Sequence, residues 1–235
     1  MRFLGSLFFY ICIGVATLCL TPLLLISLPM PMLPRQRLLA RWSSFIIVLL
    51  RVLCRVDHRV TGAENIPAGP AIIMSKHQST WETFALQVIF PAQTWVLKKE
   101  LLLIPIFGWA LAVAQAIAID RGSPKKALNQ VIAKGRDRLD KGLWVVIFPE
   151  GTRTPPGQAG KYNAGGAMLA TRTGYPVVPV AHNAGVYWGQ GRFRITPGTV
   201  QVVVGPTLDP DGRRAGELIA EVEQWIEGAM ASMTD

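Results

Sequence analysis

Cysteine, acid in the first quarter and histidine are all scarce in this 235-residue chain, and each scarcity excludes something. The three cysteines, Cys12, Cys19 and Cys54, all lie near the N-terminus. The chain beyond Cys54 therefore has no cysteine for a disulfide framework, a thiolate zinc site or a thiol nucleophile. No Gly-x-Ser-x-Gly turn occurs either, which argues against a serine nucleophile elbow. Acid is absent until Asp57, whereas six arginines precede it. Histidine occurs three times, so each one can be weighed singly.

The formal charge is +9, yet the chain beyond residue 56 holds 18 Lys+Arg against 15 Asp+Glu. Most of the excess sits on or beside the most apolar segment. That placement favours an anionic lipid surface over nucleic acid as the partner. Half of all residues are apolar, and the mean hydropathy of +0.32 is high for a wholly soluble protein. Length and composition fit one domain plus an attachment segment.

From Phe3 to Leu28 the sequence is almost unbroken hydrocarbon. It exceeds the roughly 20 residues that span a bilayer core and is too long for a signal peptide. A membrane span is the first expectation, with Pro22 and Pro29 leaving a kinked or re-entrant course open. Over residues 37–56, Arg37, Arg41, Ser44, Arg51 and Arg55 fall on one helical stripe. Leu38, Trp42, Phe45, Ile46, Leu49 and Val52 fall opposite. Such a helix suits the membrane interface, or else packs on the domain with its arginines in water. The arginine excess after the first segment predicts that the main domain sits on the cytoplasmic side. Residues 1–56 are thus read as membrane-attachment helices and 57–235 as the catalytic domain.

Beyond residue 56, apolar runs alternate with helical patterns. Ala71–Ser75, Thr94–Leu97, Ala116–Ile119, Leu143–Phe148, Val177–Ala181 and Val200–Val204 read as strands. Thr80–Phe90, Gly108–Gln115, Pro124–Lys141, Ala164–Thr173 and Arg213–Met230 read as helices, with Ser123-Pro124 a good helix start. This alternation predicts an α/β fold, a mostly parallel sheet sandwiched by helices, with an N-terminal membrane-inserted helical segment.

In open α/β sheets, sites form at the carboxyl ends of strands. His77 stands there, in Lys76-His77-Gln78-Ser79-Thr80-Trp81-Glu82. Glu82 falls in the first turn of the following helix, placed to hold one ring nitrogen while the other takes a proton. Ser79 to Glu82 equally fits a capping box, in which Glu82 only closes the helix start. His58 reads as a surface residue in a polar patch. His182 follows a strand and faces either a site or solvent. Phe148-Pro149-Glu150-Gly151-Thr152-Arg153 ends another strand, and Ala118-Ile119-Asp120-Arg121 a third. Arg121 and Arg153 at neighbouring strand ends would grip a phosphate monoester, with Lys98 a third positive charge.

Taken in order, these segments resemble the four motifs of the glycerophospholipid acyltransferase family, and within it the bacterial lysophosphatidic acid acylating enzymes. The likeness covers roughly residues 60–205. His77 and Glu82 match a His-x4-acid motif, and Ala118 to Arg121 match the second. Phe148 to Arg153 match the third, and Val178-Pro179-Val180 the fourth. Glu82 stands where the family usually has Asp; Gln115 and Ala118 stand for a common Gly and Phe.

The resemblance implies transfer of a fatty acyl group from acyl-CoA or acyl carrier protein to the sn-2 hydroxyl of 1-acyl-sn-glycerol 3-phosphate. The product would be phosphatidic acid. His77 would be the general base and Glu82 its partner. Lys98, Arg121, Glu150, Gly151, Thr152 and Arg153 would bind substrate, Glu150 accepting from a glycerol hydroxyl. Main-chain amides after His77 would steady the oxyanion. No metal or bound cofactor is implied. Alternatives are another lysolipid acceptor, such as a lyso-ornithine lipid or lysophosphatidylethanolamine, or a non-enzymatic protein binding anionic lipid or nucleic acid.

Overall fold

The structure is a computed structural model, and it describes residues 2–120 and 122–233. Chain order begins with helices α1 (Arg2–Ile26) and α2 (Met32–Leu49), the latter running into a π turn, Leu50–Cys54. Then come β1 (Val56–Thr61), β2 (Ile72–Ser75), α3 (Trp81–Ile89), β3 (Gln93–Lys98), α4 (Phe107–Val113), β4 (Ile117–Ile119) and α5 (Pro124–Asp140). They are followed by β5 (Trp144–Ile147), α6 (Gly165–Thr173), β6 (Val177–His182), α7 (Ala184–Tyr187), β7 (Gly198–Val204) and α8 (Ala215–Ser232).

The described residues form one seven-stranded sheet in the order β1-β7-β6-β2-β5-β3-β4. Every pairing is parallel except β6 with β7. The central strands are buried on both faces, which is why they read as unbroken apolar runs. Ile72, Met74, Val145 and Ile147 share one core with α5, α6 and α8; Ile73, Val146, Val178 and Val180 share the other with α1, α2 and α3. Trp81 and Leu86 of α3 are sealed in that second core, each stabilising by roughly 1.5–3 kcal/mol.

Two expectations change. The supposed polar patch around His58 is strand β1, whose ladder with β7 runs from Val56–Gly198 to Thr61–Val203. Asp57 and Arg59 interrupt its apolar positions, because this edge strand needs only its inward residues buried. The helix expected to run to Val56 stops at Cys54, where Arg55 turns left-handed (φ 55°) and launches β1.

Helix α1 is long and apolar enough to cross a membrane, yet one side of it lies on the domain. Ser6 Oγ accepts from Ile195 N at 2.9 Å, Tyr10 OH accepts from Trp188 Nε1 at 2.9 Å, and the helix also packs on α4. Its other side exposes Leu4, Phe8, Ile11, Val15 and Leu18. Helix α2 divides similarly. Leu39 and Ile46 are buried against the protein, Trp42 meets Phe84 edge-on at 5.2 Å, and Phe45, Val48 and Val52 remain exposed beside Arg37 and Arg41.

Candidate active site

Strand β2 delivers His77 to the middle of the sheet's carboxyl edge, flanked by β5 with Phe148–Arg153 and by β6 with His182. The turn from Lys76 to Thr80 leads straight into α3. His77 Nδ1 lies 2.7 Å from Glu82 Oε1. With a carboxylate on Nδ1, the proton belongs on that nitrogen, and Nε2 keeps a lone pair to accept another. The imidazole stacks on Phe148, centroids 4.0 Å apart and planes within 14°. That contact fixes the ring's rotation; Phe148 is visible in the motif, but sequence alone assigns it no role.

Glu82 does both things the sequence offered as alternatives. Its Oε1 accepts from Ser79 N at 2.9 Å and Gln78 N at 3.1 Å, closing the helix start, and also receives His77. The side chain is wholly buried. Burial works against its charge, but the His77 hydrogen bond and the Ser79 amide outweigh it and hold its carboxyl below the usual range. The extra methylene of Glu relative to Asp is absorbed by this rotamer.

The same contacts narrow one expectation. The amides of Gln78 and Ser79 are committed to Glu82, and the amide of Trp81 to Ser79 Oγ at 3.0 Å. Those three amides are not available to an oxyanion, which leaves the Thr80 amide of this turn. His182 turns inward rather than to solvent. It is fully buried, and its Nε2 lies 2.8 Å from the Lys76 carbonyl oxygen. Burial lowers its pKa, so it stays a neutral ring donating that proton.

The β5 motif splits in two. Pro149 ends the strand, and Gly151 takes φ 68°, where a side chain would be strained. Asn163 secures the loop by donating from Nδ2 to the Pro149 carbonyl at 2.8 Å. Glu150 points into the protein with no exposed side-chain surface. Its Oε2 accepts from His77 N at 2.9 Å and its Oε1 from Thr154 Oγ1 at 2.9 Å and Gly160 N at 3.1 Å. An acceptor role toward a glycerol hydroxyl does not suit that placement; Glu150 holds the His77 main chain. Thr152 is exposed, and Arg153 is half-buried, with Nε sealed from solvent and unpartnered among the described residues.

Lys98 is exposed at the end of β3. Arg121 lies outside the described residues. Contrary to the expectation from sequence, the strands that precede Arg121 and Arg153 are not neighbours: β3, ending in Lys98, runs between β4 and β5. Strand adjacency depends on crossover choice, and spacing along the chain does not encode it.

Known proteins match this picture closely. The family model described as Acyltransferase matches residues 57–183. A 1-acyl-sn-glycerol-3-phosphate acyltransferase of Pseudomonas aeruginosa is 49% identical over 211 residues, covering 87% of this chain and 82% of that protein. A chloroplast protein of the same name from Arabidopsis thaliana is 28% identical over 238 residues, 97% of this chain and 65% of that one. In three dimensions the chain superposes on a crystal structure of the 1-acyl-sn-glycerophosphate acyltransferase PlsC from Thermotoga maritima. The TM-score is 0.83 at 24% identity, covering 100% of this chain and 98% of that one, so the fold is shared. The family match spans more than half the sequence and includes both members of the His77–Glu82 pair, and this chain belongs to the acyltransferase family.

Proposed function

We propose that the protein acylates the sn-2 hydroxyl of 1-acyl-sn-glycerol 3-phosphate, using acyl-CoA or acyl carrier protein as donor and releasing phosphatidic acid. The observation that carries this is the 2.7 Å His77–Glu82 contact at the carboxyl edge of the sheet. His77 Nε2 takes the hydroxyl proton as the oxygen attacks the thioester carbonyl, and the imidazolium that forms is paired with Glu82. Collapse of the tetrahedral intermediate expels the thiolate, which recovers the proton from His77. The thioester is already activated, so the chemistry calls for no metal or bound cofactor.

Arg153 is the preferred phosphate ligand, because a guanidinium whose Nε has no partner among the described residues gains most from a bidentate anion. Lys98 and Arg121 are the further phosphate ligands of this reading, and Thr152 and Gly151 shape the loop that presents Arg153. Purified protein given labelled acyl-CoA and a panel of lysophospholipids should convert the phosphate monoester best. Arg153→Ala should raise the acceptor KM about tenfold or more, the loss of a charge-assisted pair worth roughly 1.5–3 kcal/mol, and leave the donor KM unaltered. Preference for a zwitterionic or ornithine acceptor would overturn the assignment.

Residues 1–56 serve as the attachment unit and 57–235 as the catalytic domain. The exposed apolar side of α1, with Phe45 and Val48 of α2, Val52 of the π turn, Leu103, and Trp109 of α4, enters an anionic bilayer from the cytoplasmic side. A helix packed along its own domain cannot stand across the membrane without carrying that domain in. With native cysteines replaced, Phe3→Cys should therefore resist a membrane-impermeant maleimide added to spheroplasts. Rapid labelling from outside would establish a full span.

A further inference from the structure

Lys76 is a buried lysine, only 1% exposed, directly before His77. Its ammonium donates to Glu150 Oε1 at 2.7 Å, Glu227 Oε1 at 2.8 Å and the Gln158 carbonyl at 3.0 Å, so all three protons are placed. Glu227 belongs to α8, the C-terminal helix, and its Oε1 also accepts from Tyr162 OH at 2.7 Å. Burial first, then Glu227, pushes the Tyr162 phenol far up, which keeps it a neutral donor. Glu150 closes the path by accepting the His77 N–H. A continuous chain thus runs from α8 through Glu227, Lys76 and Glu150 to the main chain of His77.

The rest of the Lys76-His77 backbone is equally committed. Lys76 N donates to Val180 O at 2.9 Å, and His77 O accepts from Thr154 N at 2.8 Å. Sequestering an ammonium and a carboxylate is a poor route to stability, since a well-packed apolar pair commonly does as well. Such a network earns its place by fixing geometry. Misplacing a reacting group by about 1 Å costs roughly 10²-fold in rate.

We propose that Lys76 is a positioning residue whose ammonium, held between Glu150 and Glu227, sets the main chain of His77 and makes the C-terminal helix part of the catalytic apparatus. This rests on His77 being the base. The Lys76 side chain does not touch substrate; it acts through Glu150.

The test uses the full chain in mixed micelles with labelled acyl-CoA and 1-acyl-sn-glycerol 3-phosphate, comparing Glu227→Gln, Lys76→Met, the double variant and His77→Ala. Rates are normalised to folded protein. Glu227→Gln should lower kcat about tenfold with both KM values within about threefold. It should also shift the downfield proton resonance of His77 Nδ1–H, although Glu227 is remote from that ring. Glu221→Gln, elsewhere on α8 and paired with Arg213, should leave both readouts unchanged.

Lys76→Met should lower kcat roughly 100-fold, and the double variant should be no worse than Lys76→Met alone, because both act through one chain. Full kcat and an unmoved resonance in Glu227→Gln would overturn the proposal, as would multiplied losses in the double variant. If Lys76→Met does not fold, Glu227→Gln decides alone; its amide retains an acceptor for Tyr162 at a part-exposed position. An active His77→Ala would instead bring down the general-base reading. A dead His77→Ala beside an unimpaired Glu227→Gln brings down only the role of Lys76.

Discussion

His77→Ala is expected to lower kcat by about 10²–10⁴ while the protein stays folded, because general-base catalysis typically contributes that much. Both effects follow from geometry. The imidazole is 16% exposed, stacked on Phe148 and tethered to Glu82 through Nδ1, which leaves Nε2 as the nitrogen free of that tether. Truncation removes the proton acceptor and one stacking face, which costs about 1 kcal/mol of packing. The backbone hydrogen bonds of residue 77 to Glu150 and Thr154 survive, because alanine retains its N–H and C=O. Steady-state turnover alongside a melting curve checks both halves. Activity within tenfold of wild type at an unchanged melting temperature would eliminate His77 as the base.

Glu82→Gln should lower kcat by about 10²-fold or more, although the glutamine can still cap α3. In the serine-protease triad, neutralising the carboxylate behind the histidine costs about 10⁴ with geometry intact. The comparable contact here is the 2.7 Å pair, in which a fully buried anion faces the ring that must become an imidazolium. Glutamine Oε1 can keep the Gln78 and Ser79 amides, so the helix start holds. Its amide nitrogen would replace Glu82 Oε2, which is buried and unpartnered among the described residues. An unsatisfied donor there costs about 1–3 kcal/mol. The expected signature is a modest melting shift beside a large kcat loss. A pure cap would give near-normal turnover.

The pH dependence has a definite sign. Because the folded carboxyl titrates below its ordinary 4.5, the stability it contributes is fully present above that value. It is lost only as pH falls through the lower folded value. The wild type's melting advantage over Glu82→Gln should therefore shrink only below about pH 4.5.

Much of this was legible in the linear chain. Fully buried parallel strands read as apolar runs, so β2, β5 and β6 and their carboxyl ends were found with His77 and the Glu150–Arg153 turn already at the right edge. Local signals set the starts of α3 and α5, as Glu82 and Pro124 show. Edge strand β1 escaped, because a strand buried on one side with Asp57 and Arg59 outside has no continuous apolar signal.

The sequence by itself determined the fold class, the apolar N-terminal segment and the identity of the His77–Glu82 pair. Those features rest on local periodicity and on residues five positions apart. Only the tertiary structure decided that Glu82 caps and orients at once, that Glu150 faces inward, and that β3 runs between β4 and β5. It alone joined Lys76 to Glu227, 151 residues apart in the chain. The physical reason is range: a helix turn brings together residues three to five apart, whereas a buried charge takes whichever partner the packed layers bring to it.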